Sequence, residues 1–304
     1  MKAAKNLAKD LGRVAFWFPF RWAVQALPLR AAPALGAFLG RGDRLLSGRR
    51  RVGRMRDNIA AGLNVEPRRA EEILLANLQS HAINMIEFMK YPQLNAHNCR
   101  RLVVWDGREH LDTALARGRG VMLCTGHFGA KQALQVALGH AGYRVNQINY
   151  HLEPDQLSFV GRRVAQRQRL RIEERIPCRF ISARGSLRGA FRCLQDNEIL
   201  IVAADGVGVP ELMDSSFRPF PFLGKTMRFP VNYVSLAKRT GAALIPVFCV
   251  RTGWRHRIVF HPPLAGDDAR VAEQYVSLLE QYVRQFPHLW EFWEEFTAGE
   301  LLTS

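Results

Sequence analysis

Residues 121–134 read VMLCTGHFGAKQAL. The opening VMLCT is short and apolar, the pattern of a strand covered on both faces. Gly126-His127 closes it, and a helical pattern opens just after Gly129. A histidine at the end of a strand, ahead of a helix N-terminus, sits where open α/β sheets place ligands. Gly126 and Gly129 allow a sharp turn and a close approach of substrate to the backbone.

The same alternation continues outward. LVVW (102–105), RVNQIN (144–149), CRFI (178–181), ILIVAA (199–204), ALIPVFCV (243–250) and RIVFH (257–261) read as further strands. Helical periodicity falls near 68–89, 109–117, 129–141, 156–171, 186–195, 229–240 and 268–285. Strands alternating with helices signal an α/β sheet. The 304 residues are 48% hydrophobic, enough to bury a sizeable core. No linker-like stretch or repeat divides them. One α/β domain over 57–304 is expected, carrying a helical N-terminal extension over 1–56.

The net charge of +16 points to acidic partners. Nucleic acid, anionic lipid and an acidic carrier protein all qualify on charge alone. Arg41, Arg44, Arg49, Arg50, Arg51, Arg54 and Arg56 crowd one stretch, and ten more arginines lie between Arg162 and Arg192 against only Glu173 and Glu174. Zinc spacing, an RNA-recognition signature and a helix-turn-helix pattern are all lacking, and the aromatics do not interleave with the basic runs. Nucleic acid is therefore not an expected partner. The five cysteines are scattered, without metal-ligand spacing or a disulfide framework, which suits a reducing cytosolic setting. Neither a metal nor a cofactor is expected.

Residues 14–40, VAFWFPFRWAVQALPLRAAPALGAFLG, place Phe16, Trp17, Phe18, Phe20 and Trp22 within seven positions. A spanning helix wants roughly 20 apolar residues in succession. Pro19, Arg21, Gln25, Pro28 and Arg30 interrupt this run. Arg21 also breaks the apolar core that a secretory signal needs. Trp and Arg together suit a membrane interface, with the Arg41–Arg56 cluster against anionic lipid. The plainer reading is an amphipathic helix covering the protein's own core.

His127 fits acyl transfer. Attack of an alcohol on a thioester needs a base to take the hydroxyl proton, and imidazole suits that work at neutral pH. A carboxylate on the ring's other nitrogen fixes the tautomer and stabilises the imidazolium. The other eight histidines read as structural. Cys124 reads as a small strand residue, with no base placed beside it.

These stretches resemble the bacterial lipid A biosynthesis (lauroyl/myristoyl-type) acyltransferases, within the lysophospholipid and glycerolipid acyltransferase superfamily. The resemblance covers LPLRAAPALGAFLGR, RRRVGRMRDNIAAGL, HAINMIEFMK, GVMLCTGHFGAKQ, NEILIVAADGVG, FPFLGKTMRFPVNYVSLAKRTGAALIPVFCVR and FPHLWEFWEEF. It implies a mixed central sheet flanked by helices. It also implies a membrane-associated enzyme at the cytoplasmic face of the bacterial inner membrane. That enzyme moves a fatty acyl group from acyl carrier protein or acyl-coenzyme A to a hydroxyl of an amphipathic lipid acceptor. The family's His-x4-Asp/Glu motif maps onto His127 and Gln132, its AADG carboxylate onto Asp205, and its Phe-Leu-Gly block onto Phe222, Leu223 and Gly224. Beyond that block MRFPVNYVSLAKRTGA reads as a helix, whose N-terminal amides with Lys225 and Arg228 suit an anionic headgroup or carrier phosphate. The alternative there is a loop with two solvated cations. Arg184 and Arg188, opening the helix before strand 199–204, are a second anion-site candidate, and Gly129 is a substrate-contact candidate.

Gln132 departs from the family pattern. Its amide oxygen can accept from His127, but it carries no charge and its amide can flip. Swapping acid for amide in a serine-protease triad costs about 10⁴ in turnover. Lys131 next door is expected to disfavour imidazolium further. Asp205 is the first candidate for a substitute acid, ahead of Glu153 and Asp155. The other readings are a slower base, or a degenerate member that binds acylated partners or lipid without turnover.

Overall fold

A computed structural model of the chain describes residues 10–149, 158–182, 187–206 and 217–296. Seven strands form the main sheet in the order β1-β9-β8-β2-β5-β3-β4. They are β1 (Val103–Asp106), β2 (Val121–Thr125), β3 (Val145–Asn149), β4 (Arg179–Ser182), β5 (Ile199–Ala203), β8 (Ala243–Thr252) and β9 (Arg255–Phe260). The run β8-β2-β5-β3-β4 is parallel, whereas β9 turns back antiparallel on β8 and β1 lies parallel to β9. The sheet is therefore mixed, and its seven strands are those legible in the sequence.

Side chains of a strand alternate between faces, so β2 serves two cores. Met122 and Cys124 join one with α10 (Arg188–Gln195), α11 (Asn232–Thr240) and α12 (Asp268–Gln285). Val121 and Leu123 join the other with α7 (Arg108–Leu115), α8 (Lys131–His140) and α9 (Arg167–Glu173). Helix starts follow familiar chemistry. Asp267 caps α12 through Arg270 N, and Asn95 and Asn98 form a reciprocal box on α6 (Ala96–Leu102).

The N-terminal helices are α1 (10–15), a π-turn Phe16–Phe20 holding Pro19, α2 (Arg21–Ala26), α3 (Ala32–Leu46) and α4 (Arg49–Leu63). Helices α2, α3 and α4 pack on the long α5 (Pro67–Lys90), and Trp17, Val52 and Met55 are buried in the cores. No helix among the described residues is long and apolar enough to cross a membrane.

One element differs from the sequence reading. β6 (Phe217–Phe222) and β7 (Lys225–Pro230) form an antiparallel hairpin, and the helix begins only at Asn232. Leu223 and Gly224 both take positive φ, +51° and +74°, the requirement of a two-residue type I′ turn. Met227 and Phe229 point into the core with the alternation of a strand, which overrides the apparent helical run.

Candidate active site

Parallel pairing of β2 with β5 builds the site. Thr125 stands opposite Ala203, and Ala204 N donates to Thr125 O at 2.7 Å. Two residues beyond each strand's register pair come His127 and Asp205, side by side. Asp205 is fully buried. Its Oδ2 accepts from His127 N at 2.5 Å and its Oδ1 contacts His127 Nδ1 at 2.7 Å. A carboxylate only accepts, so Nδ1 donates, and in the neutral ring this leaves the lone pair on Nε2. The His127 side chain is 28% exposed. A buried carboxylate thus stands behind a partly exposed imidazole.

The turn after His127 is held from three sides. The Trp-rich end runs antiparallel to it: Gly129 N donates to Leu289 O at 2.7 Å, and Glu291 N to His127 O at 2.8 Å. Phe128 bridges Trp290, and the Phe292 ring lies 4.5 Å from the His127 ring. From β8, the Cys249 carbonyl comes so close that a Cβ on Gly129 would sit 1.9 Å from its oxygen. Gly129, at φ +59°, is thus buried against the β8 backbone. A Cβ on Gly126 would come 3.0 Å from Asp205 Oδ2, so this glycine makes room for the acid.

The third side is α5. Asn84 Nδ2 donates to Gly129 O at 3.0 Å and to Glu291 Oε1 at 3.3 Å. Arg251 donates to Asn84 Oδ1, which settles which way that amide faces. Arg251 also donates to Ser80 Oγ at 3.0 Å and Glu87 Oε2 at 2.9 Å, and Glu87 pairs with His256 at 3.3 Å. Burial would raise the Glu87 carboxyl, but His256 and Arg251 outweigh it and hold it at about 2. Burial would lower His256, but Glu87 lifts it to about 9. A buried, charged cluster therefore underlies the turn.

Gln132 does not stand against His127; Asp205 does. Gln132 lines a cleft of about 270 Å³ with Lys131, Glu291, His81 and Trp17, starting at Ala130 on the turn after His127. Lys131 is paired to Glu291 at 2.7 Å, which spends the charge expected to oppose imidazolium. Burial would raise Glu291, but Lys131, His127 and His81 hold it at about 2.

Four of the remaining candidates, Phe222, Gly224, Lys225 and Arg228, sit on the β6–β7 hairpin. Phe222 is fully buried in an aromatic core with Phe229, Trp290 and Phe296, so it does not face the cleft. Gly224 is the hairpin tip. Lys225 Nζ lies 5.1 Å over the Phe296 ring, and Arg228 donates to Phe217 O at 3.4 Å. Their backbone belongs to the β6–β7 ladder, so the helix-terminus anion site read from the sequence is not formed there. Arg188 is exposed at the start of α10; Arg184, Glu153 and Asp155 lie outside the described residues. Burial pushes the Cys124 thiol up, away from nucleophilic use.

Fold and comparisons together define an O-acyltransferase acting on lipid-like acceptors. The sequence model for the bacterial lipid A biosynthesis acyltransferases matches residues 6–294, and the chain belongs to that family. It is similar to the phosphatidylinositol mannoside acyltransferase of Mycobacterium tuberculosis (strain ATCC 25618 / H37Rv), 28% identical over 271 residues, covering 82% of this chain and 78% of the relative. It is also similar to the Mycolicibacterium smegmatis protein of the same name, 26% identical over 294 residues, covering 92% and 88%.

Proposed function

We propose that the protein transfers a fatty acyl group from a thioester, carried by acyl carrier protein or coenzyme A, to a hydroxyl of an amphipathic lipid. His127 is the general base and Asp205 its orienting acid. The acceptor hydroxyl gives its proton to His127 Nε2 as its oxygen attacks the thioester carbonyl. The tetrahedral intermediate expels thiolate, which takes the proton back from the imidazolium. Ester and free thiol result. The observation carrying this reading is the two-point contact between Asp205 and His127, at 2.5 and 2.7 Å. A binding-only relative was suggested by Gln132, and that argument weakens once a buried carboxylate stands on the ring. The relatives' names make a glycosylated phospholipid hydroxyl the first acceptor to try.

The charge of +16 supports an acidic carrier as donor. Exposed Trp22, Phe38, Leu45 and Leu46, with exposed Arg41, Arg49 and Arg50, support peripheral docking at the cytoplasmic face of an anionic inner membrane. Not all of the basic cluster is available: Arg44 pairs with Glu71, Arg51 and Arg54 with Glu294, and Arg56 with Asp57. The test is His127→Ala assayed for acyl transfer into lipid extracts and defined acceptors. Transfer should disappear with the fold intact; wild-type transfer by that variant sinks the proposal.

A further inference from the structure

Arg21 opens α2 one turn beyond Trp17, a wall of the cleft. Its Nε is buried and makes no hydrogen bond, and among the described residues Arg21 forms no ion pair. Trp17, one turn before it, shares a core with Ile172 and Ile176, which sets Arg21 near Arg171 and Arg175, neighbours of the same sign. Burial, then Arg171 on α9 and Arg175 just past it, push its guanidinium below the ordinary value. Arg171 and Arg175 are exposed and form no ion pair among the described residues either. Of the two acids in this stretch, Glu173 is buried and held by Arg169 at 2.9 Å, and Glu174 is exposed and forms no ion pair among the described residues. Guanidinium groups stay charged at any working pH, so three brought together repel one another. A phosphate relieves that repulsion, because its oxygens accept the paired N–H groups of several arginines at once.

The surroundings say which phosphate. Trp22, next to Arg21, is 57% exposed, and Leu170, next to Arg171, is 39% exposed. Such residues beside arginines suit a ligand whose phosphate adjoins glycerol and acyl chains. The cluster also adjoins the cleft, since Trp17 and Arg169 both line it. We propose that Arg21, Arg171 and Arg175 bind the phosphate of a phospholipid headgroup at the rim of the cleft lined by Trp17, Arg169 and Gln132. The site joins the N-terminal segment to α9, so lipid bound there bridges two parts of the chain. It rests on the lipid-acyltransferase reading only for the choice of ligand.

The test uses the full-length protein without acyl donor, so that binding is read apart from catalysis. Flotation with phosphatidylcholine vesicles containing phosphatidylglycerol compares wild type with the triple change Arg21→Lys, Arg171→Lys, Arg175→Lys. Lysine keeps each charge but loses the paired donors, so affinity should fall about tenfold. A control triple, Arg100→Gln, Arg101→Gln, Arg117→Gln, removes exposed charge elsewhere and should change binding by less than about twofold. Unfolding temperatures check that each variant is folded, and the single change Arg21→Lys gives a milder case with the same direction. Unchanged vesicle binding by a folded triple-Lys variant overturns the site, and leaves the His127 reading untouched. If that variant binds vesicles normally but shows a raised KM for acyl carrier protein and not for an acyl-pantetheine, the phosphate is the carrier's and the lipid assignment fails.

Discussion

Asp205 holds His127 at two points with one carboxylate, the backbone N–H through Oδ2 and the ring Nδ1 through Oδ1. An asparagine cannot do both. If its oxygen accepts from the backbone N–H, its amide N–H₂ must face Nδ1, which then has to give up its proton. The proton moves to Nε2, the atom that serves as base in the proposed mechanism. Asp205→Asn should therefore lower kcat by about 10³–10⁴ with KM little changed, in line with the amide swap in serine-protease triads. Steady-state transfer kinetics on the folded variant check this. A loss below about tenfold would remove Asp205 from the mechanism.

Gln132→Glu is expected to bring no gain. The side chain faces the cleft beside Glu291, which Lys131 already neutralises, so a second carboxylate there adds repulsion without reaching the ring. Turnover should stay within about threefold of wild type, or fall. A rise of tenfold or more would mean that His127 takes its acid from position 132.

Asn84 is expected to position the turn. Asn84→Asp keeps an acceptor for Arg251 but replaces the donor facing Gly129 O and Glu291 with a second negative charge. The turn carrying His127 should shift, and misplacement on the order of 1 Å can cost about 10² in rate. We expect kcat to fall about 10- to 100-fold with KM nearly constant, read by initial rates over acceptor concentration. Raised KM with unchanged kcat would place Asn84 in binding instead.

The buried cluster sets a pH window for stability. His256 at about 9 lies above its ordinary 6.5, so its contribution is complete below about 6.5 and lost as pH rises through about 9. Glu87 at about 2 lies below its ordinary 4.5, so its contribution is complete above about 4.5 and lost as pH falls through about 2. Thermal unfolding should be most resistant between about pH 5 and 6.5 and weaken towards pH 9. His256→Gln should flatten that alkaline decline. A decline of the same size in the variant would show that His256 is not its source.

The main sheet is legible in the sequence because each strand carries its own local signal, as in ILIVA over β5. The β6–β7 hairpin is not. FRPFPF carries two prolines, unusual inside a strand, and the type I′ turn uses Leu223 where Asn or Asp is the familiar cue. His127 stands out through its strand–turn–helix setting. Asp205 stands beside it only through strand register, 78 residues away, so local spacing offers it as one candidate among three. Asn84, Arg251 and Glu291 carry no local mark at all. They meet through contacts spanning 167 and 207 positions, and an asparagine on a helix reads as an ordinary polar residue.

The N-terminal helices are bound tightly enough to make their removal costly. An added Cβ on Gly36 would come 2.2 Å from Ile83 Cγ1, and one on Gly40 would come 2.5 Å from Gln79 Cα, so α3 rests directly on the α5 backbone. Lys90 Nζ donates to Val24 O at 2.9 Å and Leu27 O at 2.5 Å, closing the end of α2. Val24 and Ala32 are buried with Ile86 and Met89 of α5. Deleting residues 1–40 should uncover that apolar face, so the truncated protein should aggregate without detergent rather than appear as a monomer by light scattering. Gly40→Val tests the packing without deletion. The branched side chain must force the helices apart, and overpacking of this kind typically costs about 1–3 kcal/mol, visible as a lower unfolding temperature. A truncated protein that stays monomeric, membrane-bound and fully active would show that these helices serve neither the fold nor the membrane.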